Sequence, residues 1–135
     1  MAHYAELNDN NEVINILYIP NDQIKDDDGI EVEEKGISYL KQNHGEHRVW
    51  IQTSIFGNFR NKSAVIGDTY RKDLDMFISP KPYPSWILNT ETGLWESPVL
   101  EPKLTDEQKD NLFFTQWDEE NQNWIVDQLK INSEN

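Results

Sequence analysis

The chain contains no cysteine, which excludes disulfide bonds, thiolate zinc sites and cysteine nucleophiles. Basic residues are also few: 12 lysines and arginines stand against 25 aspartates and glutamates, and the formal net charge is −13. Because this chain has no cationic excess to replace the counterions of a phosphate backbone, we expect no nucleic acid partner. No window approaches the ~18 apolar residues of a membrane helix, and the first residues lack a basic segment followed by an apolar one. We therefore expect neither a membrane partner nor a secretory leader.

The familiar catalytic and cofactor motifs are missing as well. The sequence has no nucleophile elbow, no phosphate-binding loop and no histidine-centred catalytic arrangement. Pairs of carboxylates, such as Glu91 with Glu96 or Glu119 with Glu120, invite comparison with the acid and base of a glycosidase. That chemistry requires one carboxyl in an apolar cleft, whereas acids at turn tips are usually exposed. The sequence therefore predicts that the protein is not an enzyme and uses no cofactor.

One acidic run and one histidine pair have spacings that invite comparison with metal sites. The acidic run Asp26–Asp28 precedes a glycine, as in calcium loops, but the EF-hand register would place Ile24 and Lys35 at ligand positions. His44 and His47 lie three residues apart, a spacing that would put both rings on one helical face, but a glycine between them is expected to end the helix. We predict a solvated acidic turn and no metal site.

The N-terminal half is typical of a small antiparallel sheet. Residues 4–19 consist of an apolar segment, a run of Asn and Asp, and a β-branched strand that ends before a proline, which predicts a hairpin. Residues 47–56 predict a further strand with Val49 and Ile51 on one face and Trp50 on the other. A short helix is expected near residues 37–43. The fold class predicted is mainly β (α+β), with this sheet and helix followed by successive aromatic hairpins.

The second half repeats one pattern, in which two aromatic residues flank a short polar reversal. Such a pattern predicts a hairpin that presents both rings on one face. The pairs are Tyr70 with Phe77, Trp86 with Trp95, and Trp117 with Trp124. Between the first two pairs, alternate prolines predict a stiff extended strap over Pro80–Pro84. Thr105 and Gln108 have capping-box spacing and predict one or two helical turns. The predicted domains are 1–79, β-rich with the short helix, and 80–135, with the strap, the tryptophan hairpins and a polar tail from Asp127 to Asn135.

Four segments of the chain carry a family resemblance: MAHYAELNDNNEV, GISYLK, WIQTSIFGNFR and VIGDTYRKDLDMFISPKPYPSWILNTETGLWESPV. Together they resemble a family of small uncharacterised proteins from tailed phages of marine bacteria, chiefly cyanophages and their relatives. The resemblance covers roughly residues 1–100 and the Trp117 hairpin. The chain departs from the family pattern at Val65–Asp68, where the family favours a turn bracketed by glycines, and in a longer last connection. The resemblance implies a phage origin and no particular activity, so no catalytic residue is transferred from it.

The functional prediction is a structural or accessory protein of the phage virion, assembled in the host cytoplasm. Its expected partners are other virion proteins on the capsid, neck or tail, and the same contacts would allow a homo-oligomer within the particle. Aromatic side chains dominate the energy of many interfaces, so they are the candidate binding residues. These are Tyr83, Trp86, Trp95, Trp117 and Trp124. We expect the strap and the acidic tail to form the docking surface.

An alternative function is a glycan-binding module of a host-recognition appendage. In that interpretation the paired tryptophans form a flat platform for sugar rings of a host-surface glycan. Core packing is the third interpretation of the same rings, because so small a domain has few other large apolar groups to bury. On this basis we expect Trp86 and Trp95 to share a buried face.

Overall fold

A computed structural model describes residues 1–130 of the chain. As predicted, it is mainly β, with small antiparallel sheets and one long helix. The strands are β1 (Ala2–Leu7), β2 (Val13–Ile19), β3 (Val49–Thr53), β4 (Thr69–Arg71), β5 (Met76–Ile78), β6 (Ile87–Asn89), β7 (Leu94–Glu96), β8 (Phe113–Asp118) and β9 (Asn123–Gln128). The helices are α1 (Glu33–His44) and α2 (Asp106–Asp110), with a 3-10 turn at Asn21–Gln23.

The chain divides into two compact units. The first contains Met1–Pro80 and Thr90–Leu94, and the second contains Lys81–Asn89 and the described residues from Trp95 onward. In each unit the strands form separate small sheets: β1 to β3 make one sheet, and β4–β5, β6–β7 and β8–β9 each make a two-stranded sheet. The sequence predicts two domains that meet between residues 79 and 80, and this domain boundary stays a prediction.

The three-stranded sheet of the first unit has the order β2–β1–β3. Its central strand β1 pairs antiparallel with both neighbours, so that Tyr4 lies opposite Leu17 on one side and Gln52 on the other. The predicted N-terminal hairpin and the strand after residue 47 are confirmed. Helix α1 begins at Glu33, four residues before the predicted start, and it ends at His44, followed by Gly45 with φ 128°. Glycine tolerates this positive φ without steric strain, and it stops the helix as expected.

Both faces of this sheet are covered, because the strand alternation sends apolar side chains in two directions. On one face Tyr4, Leu40 and Trp50 belong to a cluster that also includes Ala2, Ile19 and Ile24. The other face contributes to a second cluster, which consists of Ala5, Leu7, Val13, Ala64, Tyr70 and Phe77, with Ile51 packed against it. The alternation predicted for β3 therefore separates Trp50 and Ile51 into different cores.

Tyr4 is the best-buried aromatic of the first cluster, with no solvent exposure. Its hydroxyl donates a hydrogen bond to the Glu33 carbonyl oxygen at 3.1 Å, which ties β1 to the first turn of α1. Burial, followed by the charge of nearby Glu33, raises the pKa of Tyr4 well above its ordinary value. The phenol ring lies directly against Gly36, a buried helical position where a side chain would overlap the ring.

Arg60 connects three parts of the first unit. Its guanidinium donates to Glu33 at 2.8 Å, to Asp75 at 2.8 Å and to the Gln52 carbonyl oxygen at 2.8 Å. The residue has φ 57°, a left-handed conformation that is uncommon outside glycine, and these bonds hold it there. Tyr70 donates its hydroxyl to the same Asp75 carboxylate at 2.5 Å.

The network around Arg60 changes the pKa of Asp75 and the pKa of Tyr70. Hydrogen bonds from Tyr70 and then from Arg60 hold the pKa of Asp75 below its ordinary value. Burial, assisted by the bond to Asp75, raises the pKa of Tyr70 to about 12. The Tyr70 and Phe77 rings form the predicted cross-strand pair, with centroids 5.4 Å apart. A charged network therefore fastens the hairpin β4–β5 and the helix α1 to the sheet.

Candidate functional site

The candidate site lies in the second unit and is built on the hairpin β8–β9. Trp117 and Trp124 lie opposite each other in its register, and their ring centroids are 5.3 Å apart at an interplanar angle of 68°. Thr105 and Gln108 form the predicted capping box at the start of α2, which precedes β8. The cross-strand ring pair predicted from the Trp117 and Trp124 spacing is confirmed.

Four of the five predicted binding residues form one aromatic cluster. Trp86 lies 5.5 Å from Tyr83, 5.9 Å from Trp117 and 6.0 Å from Trp124, measured between ring centroids. The neighbouring rings of the cluster are inclined to one another, in the tilted or edge-to-face arrangements that aromatic pairs prefer to face-to-face stacking. The fifth residue, Trp95, has the Lys81 ammonium 5.7 Å from its ring centroid.

The burial of these rings differs from the prediction. Trp86 and Trp95 do not share a buried face: both are half-buried, as is Trp124, whereas Trp117 is only 6% exposed. The reason is the size of the sheet, since β6 and β7 have three residues each and cannot cover two indoles. Trp117 is instead the buried centre of the cluster, and Tyr83 is its most exposed member.

Glu119 holds Trp117 and Ser85 together by hydrogen bonds that the sequence did not indicate. Its carboxylate accepts hydrogen bonds from the Ser85 hydroxyl at 2.6 Å, the Ser85 backbone N–H at 3.1 Å and the Trp117 indole N–H at 2.8 Å. These bonds, the Ser85 hydroxyl first and Trp117 second, hold the pKa of Glu119 below its ordinary value. Sequence analysis placed this acid at an exposed turn tip, because its partner Ser85 lies 34 residues away.

The strap next to the cluster is not extended throughout. The Trp86 N–H donates to the Tyr83 carbonyl oxygen at 3.1 Å, which closes a turn over the last proline. Prolines fix φ at a value that turns also use, so their alternate spacing alone did not distinguish an extended strap from a bent one. The prediction of an extended segment is wrong at this end, and the turn delivers Tyr83 and Trp86 to the same cluster.

Beside the cluster the second unit has an open hollow of about 370 Å³. Its lining residues are Trp86, Trp95, Glu96, Ser97, Leu100, Glu101 and Trp124. The Trp124 indole N–H donates to the Val99 carbonyl oxygen at 2.9 Å, which sets the orientation of that ring. Each carboxylate of the hollow is positioned by a neutral donor: Glu96 accepts from the Asn89 amide at 2.9 Å, and Glu101 accepts from the Thr115 hydroxyl at 2.6 Å.

The residues that the sequence offered as metal ligands lie in the first unit. The Asp26 carboxylate accepts the backbone N–H groups of Asp28 and Ile30, both at 2.9 Å, so it organises its own turn. His44 lies at the end of α1, with its ring 6.2 Å from that of Trp50. Residues 1–130 contain no group of three or more histidine or acidic side chains placed to hold a metal ion. In the same range, every helix is too short or too polar to cross a membrane.

The predicted polar tail is partly a strand. Asp127 and Gln128 belong to β9 and lie opposite Phe114 and Phe113, and the Leu129 N–H donates to the Leu112 carbonyl oxygen at 2.9 Å. The first residues of the predicted polar tail therefore complete the backbone of the hairpin. The rest of the predicted tail, residues 131–135, lies outside the described residues.

The second unit thus combines inclined aromatic rings with hydrogen-bonded carboxylates around an open hollow. Comparison of the chain with protein-family models, curated proteins and solved structures gives no match.

Proposed function

We propose that this protein is a structural or accessory subunit of a tailed-phage particle, which docks on another virion protein through the aromatic cluster of its second unit. The phage setting is supported by the sequence resemblance, and the docking role by the cluster itself. The proposal involves no chemical step. Its site residues are Tyr83, Trp86 and Trp124, which are the accessible rings of the cluster, together with the neighbouring half-buried Trp95.

The observation that carries this proposal is the fixed exposure of these rings. Trp117 is the buried centre of the cluster, and the Glu119 carboxylate joins its indole to Ser85. Side chains that are already ordered lose little further entropy on binding, and tryptophan and tyrosine are the residue types most enriched in interface hot spots. A small subunit with such a cluster is well suited to a static contact in a particle.

The angles between the rings favour protein docking over the glycan alternative. A flat sugar platform requires rings in nearly one plane, whereas Trp86 and Trp124 are inclined by 58° and Trp117 and Trp124 by 68°. Inclined rings form a concave surface that receives an inserted side chain. The glycan function remains an outcome that binding measurements can distinguish.

Mass spectrometry of purified particles from the encoding phage tests the proposal. We expect the full-length protein in the virion at a stoichiometric copy number. Tyr83→Ala, which truncates the most exposed ring of the cluster, should lower its occupancy, whereas Phe56→Ala, which truncates an aromatic that is 84% exposed in the first unit, should not. Absence of the full-length protein from washed particles would refute the virion assignment. Equal occupancy of both variants would refute docking through the cluster.

A further inference from the structure

We propose that the hollow of the second unit binds a cationic side chain, lysine or arginine, of the docking partner. This inference rests on the proposed docking function and specifies its chemistry. Three indoles and two carboxylates line the hollow, and its volume of about 370 Å³ is within the range of small-ligand sites. Because the partner is defined here by one cationic group, the site can be tested with small molecules.

The two carboxylates of the hollow would attract a cation. Glu96 and Glu101 are held by an amide and a hydroxyl, which are neutral donors. These hydrogen bonds fix the positions of both acids without compensating their charge. A cation entering the hollow would therefore meet two oriented negative groups, and the net charge of −13 on the chain would favour its approach.

The indole rings of the hollow would attract a cation as well. The face of an indole bears negative charge from its π electrons and attracts a cation, and tryptophan is the strongest of the aromatic residues in this respect. Trp86 and Trp124 line the hollow at an inclination of 58°, so their surfaces converge on a ligand from different directions. Aromatic side chains around a pocket are a known means of recognising cationic ammonium ligands.

A contact within the chain supports the same chemistry. The Lys81 ammonium lies 5.7 Å from the centroid of the Trp95 ring, so this indole already attracts a cation. Lys81 does not line the hollow. Its positive charge nevertheless opposes a second cation nearby, and removing that charge should strengthen binding of the partner group.

The test uses the full chain and a matched pair of probes, Nα-acetyl-lysine methylamide and its uncharged norleucine analogue. The tryptophan indole N–H signals in NMR spectra report binding to the hollow. We expect saturable shifts with the lysine probe, weakened by salt, and none with norleucine. The double variant Glu96→Gln/Glu101→Gln keeps both hydrogen-bond acceptors and should bind the lysine probe roughly tenfold more weakly. Lys81→Gln should bind it more tightly.

Glu120→Gln is the control, since Glu120 is an exposed acid of the same unit that does not line the hollow. It changes the net charge in the same direction and should leave probe binding nearly unaltered. The inference is overturned if folded protein shows no saturable shift with the lysine or the corresponding arginine probe, if the double variant binds like the parent, or if methyl glucoside binds in their place. Presence of the protein in virions is measured separately, so the docking function can fail or hold independently of this result.

Discussion

Replacing Gly36 by alanine should destabilise the protein, although the same change in an ordinary helix would stabilise it. Gly36 is inside α1, where alanine is favoured over glycine by about 0.8–1.0 kcal/mol. Here an added Cβ would lie 2.7 Å from Cε2 of Tyr4 and closer still to its Cζ and hydroxyl oxygen. Tyr4 has no exposed surface, so its ring cannot swing into solvent to relieve the overlap.

Three contributions determine how much Gly36→Ala changes the free energy of unfolding. Overpacking a well-filled core costs about 1–3 kcal/mol, and displacing the ring weakens the Tyr4 bond to the Glu33 carbonyl, which is worth about 1 kcal/mol. The helix propensity of alanine offsets about 1 kcal/mol of this. We therefore expect Gly36→Ala to lower the free energy of unfolding by about 1–3 kcal/mol, measured by urea denaturation followed by circular dichroism.

Ser38→Ala provides the matched control, because Ser38 is an exposed position of the same helix. It should leave stability unchanged or raise it by a few tenths of a kcal/mol. A second background isolates the overlap: Tyr4→Leu should be destabilising alone, and Gly36→Ala should then cost little in addition. The reasoning is refuted if Gly36→Ala is as stable as Ser38→Ala, or if its cost is the same with Tyr4 and with Leu at position 4.

Three further results are expected. Trp117→Ala should cost about 3–5 kcal/mol in the free energy of unfolding, whereas Trp95→Ala, at a half-buried position, should cost clearly less; equal losses in denaturation experiments would contradict the burial described. Because the folded-state pKa of Asp75 is depressed, its contribution to stability is present at neutral pH and is lost as the pH falls below about 4, so the melting temperature of Asp75→Asn should depend less on acid than that of the parent. A chain that ends at Val126 should melt at a lower temperature than one that ends at Lys130, because it loses the last pairs of β9; identical melting curves would show that those pairs contribute nothing.

Several predictions that depend on neighbouring residues were confirmed. The hairpin β1–β2 follows from alternation, a polar turn and a stopping proline, all within residues 4–19. The end of α1 at Gly45 and the capping box of Thr105 are equally local, since each depends on a few consecutive residues. The ring pairs in β4–β5 and β8–β9 follow from hairpin spacing, which fixes which residues face each other across a short turn.

The sequence by itself therefore determined the fold class, most of the elements and the aromatic residues of the candidate site. Only the tertiary structure decided which of those rings is buried and what surrounds them. Glu119 and Ser85 are 34 residues apart, and Arg60 and Glu33 are 27 apart, so no local pattern records either contact. The early start of α1 at Glu33 also depends on long-range contacts, because the Glu33 carboxylate accepts hydrogen bonds from Arg60 and from the backbone of β3. Burial and charge pairing depend on segments that meet only in the folded chain, and periodicity along the sequence carries no information about which segments meet.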